Sequence, residues 1–372
     1  MSSRACGNRR PRPTRRDAGG GIGAPSKDGA ATLADVASAA RVSTATVSRC
    51  LNQPDRVAPE RRARVAASIE ALGYIPHGAA QALASRRSRM IGAVFPRLNS
   101  ILFGSFFSTL QNKLEAVGYL LVAAGSEYSA ASEERQVRQL LSRGVDALVL
   151  VGHAHRPGTL ELLERTETPH VLCWSWLGRS RSVQIGFSNA EAIGQMARYV
   201  VALGHRRIGY ISGFTRDNDR AGERLAGMRK ALAEDGLALA DELVEEIPFD
   251  IDEGAAAFGR FMGLQQPPTA VLCGSDVFAF GALREARRRG LMVPRDVTIT
   301  GFDDTEFASC TDPPLTTVRT PRELMAARVA EALIEHIEHG RRLRSLRLPT
   351  ELVIRDSSAP PSTSLARSEE AA

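Results

Sequence analysis

Thr32 to Asn52, TLADVASAARVSTATVSRCLN, is the stretch whose reading decides the fold. Thr32 is a good helix N-cap, and Asp35 three residues on gives a capping-box-like start. Leu33, Val36, Ala37 and Ala40 recur at i, i+3, i+4 and i+7, so they line one face of a short helix. Val42 enters a turn, and Ser43 is placed to cap a second helix whose inward residues are Val47 and Leu51. The outward face is Thr44, Ala45, Ser48 and Arg49, which is small, polar and basic. Such a face suits the DNA major groove, where bulky side chains block approach and Arg reads guanine. The expectation is a helix-turn-helix and DNA binding. A plain helical hairpin has the same spacing, so spacing alone leaves both open.

The literal string separates them. T-x-x-D-V-A-x-x-A, then V-S, T-V-S-R and L-N, resembles the DNA-binding headpiece of the lac repressor (LacI/GalR) family, with Tyr74-x-Pro76 at the family's link to the hinge. Two departures stand out. The inter-helix turn usually carries Gly and here carries Arg41, which costs roughly 1 kcal/mol if the turn needs a positive φ. The hinge pattern P-N-x-x-A-R-x-L reads Pro76-His77-Gly78-Ala79-Ala80-Gln81-Ala82-Leu83, so His77 and Gln81 alter the minor-groove contacts. Leu83 matches the leucine that family members wedge into the operator centre, where it unstacks a base step. The resemblance thus implies a DNA-binding set of Thr44, Ala45, Ser48, Arg49, His77 and Leu83.

The chain of 372 residues is too long for one core. Its charge is unevenly placed. Residues 1–28 carry net +5 and residues 29–90 another +5, so a total of +6 leaves −4 for residues 91–372. Positive charge concentrated on the arm and headpiece is what a phosphate-binding module requires. No apolar run approaches the ~20 residues of a membrane span. The Arg-rich start lacks an apolar signal segment, so a bacterial cytoplasmic protein is expected. Cys6, Cys50, Cys173, Cys273 and Cys310 are scattered and odd in number, which reads as reduced thiols.

Residues 1–30, rich in Arg, Gly and Pro, read as a disordered arm; 31–75 as the headpiece; 76–89 as hinge; 90–356 as a two-lobed core; and 357–372 as a disordered tail. A third headpiece helix starts near Pro59 and stops at Gly73, with Val65, Ile69 and Leu72 as its buried stripe. From Met90, apolar runs alternate with helical segments. Strands are expected near 91–96, 119–125, 147–152, 170–176, 183–187, 206–213, 245–250, 269–275 and 297–302, with amphipathic helices near 105–117, 132–143, 189–203, 220–235, 252–263 and 276–289. This βαβ alternation implies parallel sheets covered on both faces. The fold class expected is an all-α helix-turn-helix headpiece joined to an α/β core of two doubly wound parallel-sheet lobes. A ligand site belongs in the cleft at the carboxyl ends of such strands.

The resemblance continues through GHRRIGYISG (204–213), ERLAGM (223–228), and GFDD with PPLTTV (301–318), which recur in the effector-binding core of these repressors, itself similar to periplasmic sugar-binding proteins. Carried over by motif, the effector-binding set is Phe103, Trp174, Asn189, Arg224, Phe249, Ser275 and Asp303. Phe103 and Phe249 are expected as apolar walls and Trp174 as a stacking face. Arg224 would grip hydroxyls or a carboxylate, and Asp303 would accept from sugar hydroxyls, while Asp276 and Asp304 brace loops. Trp174 stands where several sugar repressors place an acid, and VQIGFSNAEAIGQM resembles gluconate-type repressors. Both favour a sugar acid such as gluconate as effector.

Other classes fare worse. No nucleophile elbow, P-loop or zinc spacing is present, so no enzyme, cofactor or metal is expected. His153-x-His155 lacks a third ligand nearby, and His336 with His339 reads as a solvated helix face. A nucleobase-type corepressor remains the rival within the regulators. Without leucine heptads in the tail, the expected assembly is a homodimer on double-stranded operator DNA, away from any membrane.

Overall fold

The computed structural model describes residues 31–76 and 87–362. The hinge calls at His77 and Leu83 therefore lie outside the described residues. The chain divides between Ser88 and Arg89 into two compact units.

The first unit holds α1 (Leu33–Ala39), α2 (Thr44–Asn52) and α3 (Pro59–Leu72). Their small core is Val36, Ala37, Ala40, Val47, Cys50 and Val65, ringed by partly buried Leu33, Leu51 and Ile69. Cys50 follows Val47 by three positions and so shares its helix face, a contribution the sequence reading overlooked. Leu72 corrects the expected stripe of α3: it is 40% exposed, because two short helices cover only the middle of a helix of 14 residues.

The second unit contains two lobes. The first sheet is parallel, in the order β2 (Leu120–Gly125), β1 (Met90–Phe95), β3 (Ala147–Val151), β4 (His170–Cys173), β5 (Val183–Gly186) and β11 (Leu346–Arg347). Strand periodicity sorts its residues to two faces. Ile91, Ala93, Phe95, Val149 and Val171 join one core, under α4 (Ile101–Glu115) and α11 (Arg322–His339). Val94, Leu148, Leu150 and Leu172 join the other, with Val137 and Leu140 of α5 (Ala130–Ser142) and Leu163 of α6 (Pro157–Arg165).

The second sheet is also parallel, in the order β7 (Val244–Ile247), β6 (Ile208–Gly213), β8 (Ala270–Cys273) and β9 (Thr298–Thr300). Its helices are α7 (Asn189–Ala202), α8 (Asp219–Glu234), α9 (Ile251–Phe261) and α10 (Asp276–Arg288). The α9–α10 pair packs backbone to backbone, since a Cβ on Gly254 would sit 2.7 Å from the carbonyl oxygen of Phe278. An antiparallel pair, β10 (Thr317–Arg319) with β12 (Glu351–Val353), completes this lobe. The chain therefore passes between lobes after β5, after β10 and between β11 and β12.

The nine expected strands are all present, trimmed by a few residues. The sequence reading did not foresee α6, β10, β11 and β12, which are short or pair with strands far away in the chain. The expected tail boundary is also corrected. Residues 357–362 pack on the second lobe: Ser357 is buried, donates to the Ile299 carbonyl at 2.6 Å and accepts from the Thr316 N–H at 2.8 Å. Ser and Pro composition suggested disorder there, but these hydroxyls replace water as partners for buried backbone groups.

Candidate functional site

The helix-turn-helix is built by its caps. The Thr32 hydroxyl accepts from the Asp35 N–H at 3.3 Å, and the Asp35 carboxylate accepts from the Thr32 N–H at 2.8 Å, a reciprocal capping box. The Thr32 hydroxyl also donates to the Asp35 carboxylate at 2.7 Å, and this bond, with the one from the Thr32 N–H, holds the carboxyl below its usual range. The C-terminus of α1 closes as a Schellman motif: Val42 N–H reaches the Ala37 carbonyl at 2.9 Å and Arg41 N–H the Ser38 carbonyl at 3.1 Å. Arg41 takes the left-handed position with φ 51°. Ser43 then caps α2, accepting from the Thr46 N–H at 3.2 Å. With Val47 buried, Thr44, Ala45 and Arg49 are exposed, while Ser48 is half-buried and accepts from Asn52 at 3.3 Å. Arg49 forms no ion pair or side-chain hydrogen bond among the described residues, so its guanidinium fork is free to read a base edge. Arg61, Arg62 and Arg64 are exposed on α3.

The core carries a cleft between its lobes, at the carboxyl ends of the strands. A recess of about 30 Å³ is lined by Phe103, Tyr128 and Trp174 from the first lobe, and by Asn218, Arg220, Arg224, Phe249, Phe278, Ser275 and Asp303 from the second. It shares Tyr128, Gly213, Asn218 and Phe249 with an outer vestibule of about 480 Å³. Six of the seven expected effector residues line the recess. Asn189 does not: it is buried behind the recess, donating to the Trp174 carbonyl at 2.9 Å and accepting from Arg224 Nη1 at 2.6 Å. Its role is to position both.

Trp174 departs from its expected role. It is 2% exposed, edge-on to Phe103 at 4.8 Å and tilted on Phe106 at 4.6 Å, so its ring faces belong to the aromatic core. What remains is the indole N–H, buried and without a partner among the described residues. Phe103 is likewise buried in this cluster. Phe249 lies two residues beyond the end of β7 rather than closing it, half-buried and edge-to-face with Phe278 at 5.3 Å.

Arg224 sits on α8 with its guanidinium 4.9 Å from the Phe302 ring centroid, and its Nε also lacks a partner among the described residues. Arg220, one helical turn earlier, was missed, although the i, i+4 spacing to Arg224 was in the sequence. Asp303, at φ 114°, accepts from the Ser275 hydroxyl at 3.1 Å. Burial pushes its carboxyl up from the usual range, and the nearby Arg224 and Arg322 charges only partly offset this. Asp276 accepts from Thr305 N–H at 2.6 Å, Thr305 hydroxyl at 3.0 Å and Thr317 hydroxyl at 2.6 Å, so it braces the loop carrying Asp303. Asp304 pairs with Arg319 and Arg355, both at 2.7 Å.

The lobes are clamped together. Arg220 donates to the Val151 carbonyl at 3.2 Å, Ser175 to Glu223 at 2.6 Å and Arg97 to the Phe249 carbonyl at 2.9 Å, and the His153 N–H donates to Asp219. Gly152 lies in this clamp at φ 79°, where a Cβ would overlap Arg220 and Asp219. His155 is held between Glu133 at 2.6 Å and the Gly152 carbonyl at 3.0 Å. Among the described residues no group of His, Cys, Asp and Glu is arranged to hold a metal, and no helix is long and apolar enough to cross a membrane.

Known proteins share both units. The family profile of bacterial regulatory proteins, lacI family, matches residues 32–77, and that of a periplasmic binding protein-like domain matches residues 197–358. An uncharacterized HTH-type transcriptional regulator in the aml 5′ region of Streptomyces limosus is 36% identical over 88% of this chain and 94% of its own. The HTH-type transcriptional repressor CytR of Escherichia coli strain K12 is 32% identical over 90% of this chain and 98% of its own. The lac repressor dimer bound to operator and the anti-inducer ONPF is 27% identical, with a TM-score of 0.78 over 89% of this chain and 99% of that one. With a capped helix-turn-helix, a two-lobed α/β core and relatives similar over nearly their whole length, this chain belongs to the lacI family of bacterial transcription regulators and is not an enzyme.

Proposed function

We propose that this protein represses transcription as a homodimer on operator DNA in the bacterial cytoplasm, and that a sugar acid bound in the interlobe cleft sets its DNA affinity. Each headpiece, residues 31–75, places Thr44, Ala45, Ser48 and Arg49 in a major-groove half-site. The hinge, residues 76–89, brings His77 and Leu83 to the central minor groove. The dimeric lac repressor on its operator supports this arrangement.

One observation carries the ligand reading. Trp174 Nε1 and Arg224 Nε are buried donors without partners among the described residues, and both residues line the recess. Each unsatisfied buried donor costs about 1–3 kcal/mol, which an acceptor oxygen would recover. A carboxylate supplies two such oxygens, and its bonds to guanidinium are charge-assisted. Arg220 is already paired with Asp219 at 2.9 Å, so Arg224 is the cation left to the acid, beside Asp303, whose charge burial disfavours. Closure on the ligand changes the separation of the hinges, and the coupling is the ligand's differential affinity for two states, ~1–3 kcal/mol.

The test is binding of the full-length protein to its own upstream DNA, titrated with gluconate, neutral sugars and purines. Release by the acid is expected, and Arg224→Ala should keep operator binding while losing that release. Tightening by a purine would instead make the protein a corepressor-type regulator. A normal acid response in Arg224→Ala would remove Arg224 from the site.

A further inference from the structure

The two compartments of the cleft differ in size and chemistry. On this scale a single water needs ~10–15 Å³ and a whole metabolite ~300–1,000 Å³. The recess of about 30 Å³ therefore admits one small group, whereas the vestibule of about 480 Å³ has room for a sugar ring and more. Because they share Tyr128, Gly213, Asn218 and Phe249, they form one tract. Its inner end is lined by Trp174 and Arg224, each with a buried N–H that has no partner among the described residues.

The outer end asks for something else. Its guanidiniums, Arg97 and Arg216, face three carboxylates: Glu127, Asp217 and Glu246. That balance repels a second anion such as a phosphate and offers both donors and acceptors to neutral hydroxyls. Arg97 is already committed to the Phe249 carbonyl at 2.9 Å and lies 3.6 Å from Glu127, and Glu246 holds Thr215 at 2.7 Å. Arg216 and Asp217, by contrast, are exposed and form no side-chain hydrogen bond or ion pair among the described residues. Phe214, 53% exposed, and Phe249 add aromatic faces for the C–H surface of a sugar.

We infer that the effector is an acid-terminated disaccharide, its carboxylate in the recess and its neutral second sugar in the vestibule, with Arg216 and Asp217 selecting that second unit. This rests on the sugar-acid reading above and goes beyond it by excluding a one-unit ligand as the preferred effector.

Calorimetric titration of the full-length protein with gluconate, lactobionate, cellobionate and maltobionate, and with lactose, cellobiose and maltose, tests it. At least one bionate should bind about tenfold or more tighter than both gluconate and its neutral parent, a difference of ~1.4 kcal/mol. The double variant Arg216→Ala/Asp217→Ala should collapse the ratio between bionate and gluconate affinities towards one. If gluconate matches every bionate, the two-unit inference falls while the sugar-acid reading survives. If the neutral parents bind as tightly as the acids, the assignment of the carboxylate to the recess falls. If nothing in the panel binds while operator binding persists, both readings fall.

Discussion

At the scale of single residues, the side chains of interest are those whose polar groups lack a partner or whose charge sits in an unfavourable place. Arg49 is the first kind: exposed, without a side-chain partner among the described residues, and on the outward face of α2. Arg49→Ala should cost ~1–3 kcal/mol and relax base preference at one position in each half-site, read by binding to a library of single-base operator variants. A uniform loss across all variants would reduce it to a phosphate contact. Asp303 is the second kind. Burial raises its folded-state pKa above the unfolded value, so the folded state holds the proton over a pH range where the unfolded chain has lost it. Stability attributable to this group is thus fully present at low pH and declines as pH rises through that range. Asp303→Asn removes the titration. The variant should gain on the wild type by on the order of 1–3 kcal/mol between about pH 4 and pH 7, measured as the difference between their unfolding curves. Parallel pH profiles would show that Asp303 is ionised without penalty. Much of this scale was legible beforehand, because Arg224, Ser275 and Asp303 sit in local motifs. The orphaned indole N–H of Trp174 was not, because it follows from Phe95, Phe103 and Phe106 occupying both ring faces.

At the scale of elements, the turn between α1 and α2 is specified by hydrogen bonds rather than by its residue type. The Schellman pattern forces φ 51° on Arg41, whereas Gly73 meets the same requirement at the end of α3 without a Cβ. Arg41→Gly should therefore stabilise the headpiece by about 0.5–1 kcal/mol, the relief of left-handed strain exceeding the added freedom of the unfolded chain. Slower amide exchange in α1 and α2 of the full-length protein would show it; faster exchange would mean that the Arg41 side chain contributes packing that Gly lacks. The strands tell a similar story. The continuous apolar runs Ile91–Phe95 and Ala147–Val151 mark strands covered on both faces, and those were readable; the structure deals their side chains alternately to two cores. The two residues of β11 carry no period at all, yet they extend the first sheet beside β5.

At the scale of the whole core, the proposed effector response depends on how firmly the lobes close. Gly152 stands where Arg220 and Asp219 of the second lobe meet Val151 and His153 of the first. Gly152→Ala should wedge this clamp open, weakening effector affinity about tenfold or more, since a ligand that bridges both lobes then works against the steric cost of closure. Small-angle scattering of the effector-saturated variant should give a larger radius than the wild type. An unchanged affinity would show that closure does not limit binding. What the sequence by itself determined is everything written within a helical turn or a strand period: the capped helix-turn-helix, the βαβ alternation, the concentration of positive charge before residue 91 and most of the cleft motifs. Only the tertiary structure decided that Trp174 offers a donor and not a face, that Arg220 joins the cleft, that β11 completes a sheet begun some 250 residues earlier, and that residues 357–362 belong to the second lobe. The reason is physical. Burial, hydrogen-bond satisfaction and sheet pairing are set by which distant residues meet, and no local window of sequence contains both partners.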